Sequence, residues 1–192
     1  TQRIARTFWV RLIILLVNLA AALALAGFWW PPLASWLQLS PDVFWLVLAH
    51  FGVTALWLHA QFALQGLKLP VVQAFFQFSE RFLIFLGLAG LVLVKDLTGY
   101  NVLICYIAAP AVMFSAGVWR MRKYIFHRWT VDAAFVKQMI VYSLPLAPMG
   151  LIGYFSGRDI DAVFIAQYLL KSDLGVYAVA TQITGIVLQV PT

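Results

Sequence analysis

Charged residues are scarce in this chain. Lys, Arg, Asp and Glu make up 10 % of its 192 residues, whereas about 25 % is usual for soluble domains. The scarcity leaves five stretches without any charge, at 12–41, 43–67, 97–119, 138–157 and 174–192. A helix of about 20 apolar residues crosses the hydrocarbon core of a bilayer. Stretches of this length leave no room for a soluble domain and predict an integral membrane protein with several spans.

Cysteine and catalytic motifs are also nearly absent. Cys105 is the one cysteine, so it cannot form an internal disulfide. It lies in an apolar run and belongs to no Cys/His cluster. The chain has no Gly-rich phosphate loop, no HExxH and no GxSxG motif. We therefore expect no cofactor and no metal, and transport fits the sequence better than catalysis. The net charge of +6 does not indicate nucleic-acid binding, because the basic residues flank apolar runs.

Turn residues and charges divide the chain into six predicted spans. They run over 8–30, 43–65, 72–94, 101–119 and 138–170, with the last from 174 onward. Pro31 and Pro32 are predicted to end the first span, because proline cannot continue the helical hydrogen-bond ladder. The predicted fold class is all-α, a polytopic membrane helical bundle.

The basic residues fall mostly on one side of the predicted membrane. If the spans alternate, one side collects nine Lys and Arg and the other only Lys95 and Lys171. Cytoplasmic loops carry the excess of positive charge, so the side with nine is predicted to be cytoplasmic. Its members are Arg3, Arg6, Arg11, Lys68, Arg120, Arg122, Lys123, Arg128 and Lys137.

Five charged residues lie well inside predicted spans, away from the span ends. Arg158, Asp159 and Asp161 are near the middle of the fifth span, and Glu80 and Arg81 lie about a third of the way into the third. A charge at mid-membrane costs about 2.5–3.5 kcal/mol on insertion scales, so it needs a partner, a watery cavity or a function. We interpret these residues as the candidate lining of a binding cavity. A short loop or salt bridge at 158–161, and snorkelling of Glu80 and Arg81, are the alternatives.

Uncharged polar side chains also interrupt the second and third spans. His50 and His59 are nine residues apart, on opposite sides of a helix, so they do not share a metal. We expect His50 near the outer interface and His59 in the core or a cavity. Four glutamines form two pairs that each share a helix face, and either helix–helix hydrogen bonds or bonds to a sugar explain them: Gln61 with Gln65, and Gln73 with Gln77.

The segment from Tyr142 to Thr184 carries a family resemblance. It opens with YSLP at 142–145, has a polar break at 158–161 (RDID), and continues with GVYAVA at 175–180. This pattern resembles the polysaccharide (oligosaccharide) flippases, the Wzx-type O-antigen and exopolysaccharide transporters. The family often places Asp before Arg or Lys at the break, whereas here Arg158 precedes Asp159.

The resemblance implies a two-lobed architecture like that of the multidrug-extrusion (MATE-like) transporters. Residues 1–119 would form four helices of the first lobe, 120–137 a basic cytoplasmic connector, and 138–192 the start of the second lobe. The chain lacks an initiator Met and stops at Thr192 within an apolar run. We therefore expect it to be part of a longer protein.

The resemblance also implies a function. The protein would flip an undecaprenyl-diphosphate-linked oligosaccharide from the inner to the outer leaflet of a bacterial inner membrane, for surface polysaccharide synthesis. Membrane lipid and the polysaccharide polymerase machinery are the other implied partners. The resemblance also implies that cations bind the diphosphate, with Arg158 as the first candidate and Arg81 as the second. The alternatives are a cation-coupled multidrug exporter of the same superfamily, a membrane-embedded biosynthetic enzyme, and a structural subunit.

Overall fold

The structure is a computed structural model that describes residues 2–37, 43–126, 133–143 and 175–181, with 165, 168 and 172. Its contacts divide the chain into two compact units, Thr1–Val131 and Asp132–Thr192. Throughout the described ranges the backbone forms α-helices joined by short turns, and these ranges contain no strand. The predicted all-α class is confirmed.

The described part of the first unit contains four helices long and apolar enough to cross a membrane. They are α1 (Gln2–Leu37), α2 (Val43–Gly66), α3 (Pro70–Leu93) and α4 (Gly99–Ile125). The second unit contains α5 (Ala133–Ser143) and a helical stretch at 175–181. The chain is thus a multi-pass membrane protein, and most of the predicted fifth and sixth spans lies outside the described residues.

Helix α1 does not end where the sequence predicted. It continues through Pro31 and Pro32 to Leu37, so the prediction that these prolines end the helix was wrong. The fixed φ of proline is itself helical, and its cost lies in the carbonyl four residues earlier, which loses its donor. Those carbonyls belong to Gly27 and Phe28, and both residues are exposed.

Helices α4 and α5 extend into the predicted connector. Helix α4 runs to Ile125 rather than to 119, and α5 begins at Ala133 rather than near 138. Arg122 and Lys123 lie in the last turn of α4, where cations interact favourably with the helix dipole. The division at 120–137 into two lobes stays a prediction.

A tight turn joins α2 to α3. Lys68 has a left-handed φ of 57°, its N–H donates to the carbonyl of Gln65 at 2.9 Å, and the Leu69 N–H donates to that of Leu64 at 3.2 Å. This is the Schellman pattern that closes a helix C-terminus. Pro70 then starts α3 at a position where its missing N–H costs nothing.

The turn from α3 to α4 uses the same closure. Lys95 has a φ of 55°, and the Asp96 N–H donates to the carbonyl of Leu91 at 3.0 Å. The Thr98 hydroxyl caps α4 by accepting from the Asn101 N–H at 3.2 Å. Both turns are short, and each sets the two helices that it joins antiparallel to one another.

The core lies at one end of the first unit. It joins the start of α1 to the later parts of α2 and α4, and its members are Phe8, Trp57, Ala60, Leu64, Met113, Met121 and Ile125. The Trp9 Nε1–H donates to the carbonyl of Ile125 at 2.8 Å. We call this the basic end of the unit, because four basic residues belong to it. Arg11 lies near the start of α1, Lys68 lies in the turn after α2, and Arg122 and Lys123 lie in the last turn of α4. The predicted alternation of these four spans is confirmed.

Large apolar side chains cover the outside of the helices. Several are more than half exposed, among them Val17, Leu25, Phe75, Phe78 and Phe85. An apolar outer surface of this kind marks contact with lipid or with further protein. Because the outer surface is apolar, we expect polar functional residues to lie between the helices or at their ends.

Candidate functional site

Glu80 is held at the interface of α2 and α3. The indole N–H of Trp57, on α2, donates to its Oε2 at 2.8 Å. Trp57 is 1 % exposed and Glu80 is half-buried. Trp57 lies in the middle of α2 and packs inside the bundle rather than at the membrane interface. The bond directs the Glu80 carboxyl group towards α2.

Arg81 lies elsewhere on α3. It follows Glu80 by one residue, about 100° round the helix, and it is exposed. Phe78 and Phe82 stack next to it with ring centroids 6.0 Å apart. The structure therefore places Glu80 against a neighbouring helix and Arg81 on the outer, aromatic face of α3.

A second hydrogen bond joins the same two helices. Gln77 Nε2 donates to Gln61 Oε1 at 2.9 Å, and Gln61 is buried. Gln61 is one helical turn beyond Trp57, and Gln77 is one turn before Glu80. The four side chains form a polar seam between α2 and α3, and the helix–helix interpretation of the glutamines is confirmed for this pair.

The other predicted site residues fall in the second unit. Arg158, Asp159 and Asp161 lie outside the described residues, as does the whole range 144–164. Tyr142, which opens the family motif, is exposed near the end of α5. The assignment of residues 158–161 to a cavity stays a prediction.

A cleft of about 210 Å³ opens between α1 and α2 at the basic end. Each helix contributes residues at i, i+3, i+4 and i+7, the spacing of a single helical face. They are Ile4, Thr7, Phe8 and Arg11 from α1, and His59, Phe62, Ala63 and Gly66 from α2.

The cleft contains two nitrogen groups with different environments. His59 is 6 % exposed, its ring centroid is 4.6 Å from that of Phe8, and its Nε2 has no hydrogen-bond partner among the described residues. Arg11 is exposed, with its guanidinium carbon 5.4 Å from the centroid of the Phe62 ring. His59 was expected in the core or a cavity, which is confirmed, but Arg11 was predicted only as a flanking charge.

The helical spacing of Arg11 in the sequence indicates its place in the cleft, whereas the count of basic residues on each side of the membrane does not. Arg11 lies on the same face of α1 as Ile4 and Phe8. Because α1 is a helix, its spacing from these residues places Arg11 beside the same cleft. Which part of α2 lies opposite depends on how the two helices cross, and hydropathy does not encode that.

Comparison with known proteins identifies the family. The family model described as "Polysaccharide biosynthesis protein" matches residues 73–191, more than half of the chain. The match begins in α3, includes α4 and α5, and covers the whole segment from Tyr142 to Thr184. No significant match was found to a curated protein or to a solved structure. The family match supports the assignment made from the motif segment, and the chain belongs to the polysaccharide biosynthesis protein family.

Proposed function

We propose that the protein flips an undecaprenyl-diphosphate-linked oligosaccharide from the inner to the outer leaflet of a bacterial inner membrane. The observation that carries the proposal is that a polysaccharide biosynthesis family match falls on a chain built from spanning helices. A glycan precursor that meets such a protein must itself be at the membrane. A lipid-linked oligosaccharide meets that requirement, because its tail stays in the hydrocarbon region.

Polar groups between the helices favour transport of a polar head. A sugar and diphosphate need hydrogen-bonding partners at membrane depth, where unsatisfied polar groups cost several kcal/mol. The seam of Trp57, Gln61, Gln77 and Glu80 joins α2 to α3 through polar side chains, of which Gln61 is buried. Two lobes that rock about a central site would give alternating access.

The proposed binding residues divide by charge. Arg158 takes the diphosphate, because a guanidinium offers paired hydrogen bonds to phosphate oxygens, and Arg81 is the second cation. Asp159, Asp161 and Glu80 accept hydrogen bonds from sugar hydroxyls. Arg158→Ala is expected to abolish export at normal protein levels, while Arg158→Lys retains part of it because the charge remains. Full export by Arg158→Ala would remove Arg158 from the site.

The function is tested by deleting the full-length gene and complementing it. Loss of surface polysaccharide together with build-up of its undecaprenyl-linked repeat unit is the expected result. Unchanged polysaccharide with altered sensitivity to cationic drugs would show a drug exporter instead. Loss of polysaccharide without any lipid-linked intermediate would show a biosynthetic enzyme.

The proposed orientation puts the basic end in the cytoplasm. Lys68 and Lys95 lie in the turns at opposite ends of α3, so they report on the two sides. In a cysteine-free background, Lys95→Cys is expected to react with a membrane-impermeant thiol reagent in intact cells. Lys68→Cys is expected to react only after permeabilisation, and the reverse pattern would invert the orientation.

A further inference from the structure

The cleft between α1 and α2 contains a buried ring nitrogen that has no hydrogen-bond partner among the described residues. His59 is more than nine-tenths buried and lines the cleft, and its Nε2 lacks a partner in the described part of the chain. Buried polar groups in proteins are nearly always hydrogen-bonded, so an unpartnered one calls for a ligand or water. The Thr7 and Arg11 side chains line the same cleft. Three hydrogen-bonding side chains therefore converge on one space.

The charge of the cleft selects an anion. Among the described residues that line the cleft, Arg11 is the one charged side chain and none is a carboxylate. A guanidinium is the side chain best suited to phosphate, because its N–H groups form paired bonds with two oxygens. A neutral imidazole can carry its proton on Nε2 and donate to the same group.

The remaining lining selects the kind of molecule that carries the anion. Ile4, Phe8, Phe62 and Ala63 give the cleft apolar walls beside the donors, and Phe62 is half exposed on the outside of α2. The volume of about 210 Å³ is below the range of about 300–1,000 Å³ that encloses drug-sized ligands. An oligosaccharide does not fit, whereas one phosphate with the adjoining part of a lipid does.

We propose that the Arg11–His59 cleft binds the phosphate of an anionic membrane lipid at the basic end of the bundle. Arg11 and His59 donate to the phosphate oxygens, and the apolar walls contact the start of the lipid's hydrophobic part. This site is separate from the polar seam, and it does not depend on which molecule the protein transports.

The test titrates phosphatidylglycerol into the detergent-solubilised full-length protein and counts bound lipid by native mass spectrometry. Arg11→Gln is expected to weaken binding at least about tenfold, because a hydrogen bond to a charged group is lost. Arg122→Gln is the matched control. Arg122 is also exposed near the basic end and also lies over an aromatic ring, 4.8 Å from the centroid of Trp119, but outside the cleft. Equal binding losses in both variants would show unspecific surface charge and overturn the proposal.

His59→Phe separates a ligand-binding role from a structural one. Phenylalanine keeps an aromatic ring against Phe8 and removes the unpartnered nitrogen, so the lipid-free protein is expected to melt at the same or a higher temperature. Bound phosphatidylglycerol is expected to fall as it does in Arg11→Gln. A lower melting temperature with unchanged lipid binding would assign His59 to packing alone and refute its role.

The source of the phosphate is tested in parallel. Phosphatidylglycerol is expected to raise the melting temperature, whereas phosphatidylcholine and inorganic phosphate raise it less. If inorganic phosphate alone reproduces the full effect with the same dependence on Arg11, the ligand is a soluble phosphate and the lipid assignment fails. The absence of any bound lipid in the wild-type protein would also overturn the proposal.

Discussion

The hydrogen bond between Trp57 and Glu80 is expected to stabilise the four-helix unit by about 1–2 kcal/mol. Hydrogen bonds to charged groups contribute about 1.5–3 kcal/mol in soluble proteins, whereas those between membrane helices average about 0.6 and reach about 1.7 kcal/mol. The Nε1 to Oε2 distance is 2.8 Å and the donor side chain is 1 % exposed. A short bond with a fully buried donor belongs in the upper part of the membrane range.

Single substitutions at this pair mix several effects. Trp57→Phe removes the donor and also leaves space beside Gly117, so packing loss adds to the bond, and a total of about 2–4 kcal/mol is expected. Glu80→Met removes the acceptor and leaves the buried indole N–H without a partner. Glu80→Gln keeps an acceptor oxygen at the same position and is the matched control. Its loss of unfolding free energy is expected to be less than half that of Glu80→Met.

A double-mutant cycle isolates the bond itself. The free energy of unfolding is measured by titrating SDS into mixed micelles, with helix content followed by circular dichroism, for wild type, Trp57→Phe, Glu80→Met and the double variant. A coupling energy of about 1–2 kcal/mol is expected. Independent sites add to within about 0.3–0.5 kcal/mol, so a coupling below that limit would refute the reasoning.

Three further substitutions test helix packing and turns, each by thermal unfolding of the purified protein. Gly87→Ala is expected to destabilise by about 1–3 kcal/mol through overpacking, because the new Cβ would lie 2.8 Å from the Sγ of Cys105, and adding Cys105→Ala should recover part of the loss. Gly117→Ala is expected to be neutral or to stabilise by up to about 1 kcal/mol from helix propensity, since its nearest neighbour, the Trp57 ring, is 3.4 Å away. The opposite ranking of the two glycines would contradict the packing of α4. Lys95→Gly is expected to stabilise by about 1 kcal/mol by removing a left-handed side-chain residue, and a lower melting temperature would contradict that turn.

The sequence predicted the inner helices better than the outer ones. Predicted spans at 43–65 and 72–94 lie within about two residues of α2 and α3, because Schellman turns follow them directly. The ends of α1 and α4 were misplaced because hydropathy reports the solvent around a helix, not its backbone. Helix α4 keeps its hydrogen bonds after the apolar run stops, and α1 passes through two prolines.

The candidate site was only partly readable from the sequence. Glu80 was found because a charge inside an apolar span is conspicuous, but nothing in the sequence marks Trp57 as its partner. The partner lies on another helix, and the pairing depends on the register between α2 and α3. The same is true of Arg11 and His59, which only the packing of α1 against α2 brings to one cleft.

The most direct test of the proposed function is a flipping assay with the purified full-length protein in sealed vesicles. Undecaprenyl-diphosphate-linked oligosaccharide is placed in one leaflet, and a membrane-impermeant glycosidase reports its arrival in the other. Transfer by the wild-type protein, lost in Arg158→Ala and partly retained in Arg158→Lys, is the predicted result. Transfer no faster than in protein-free vesicles would contradict the proposal that this polysaccharide biosynthesis protein is a lipid-linked oligosaccharide transporter.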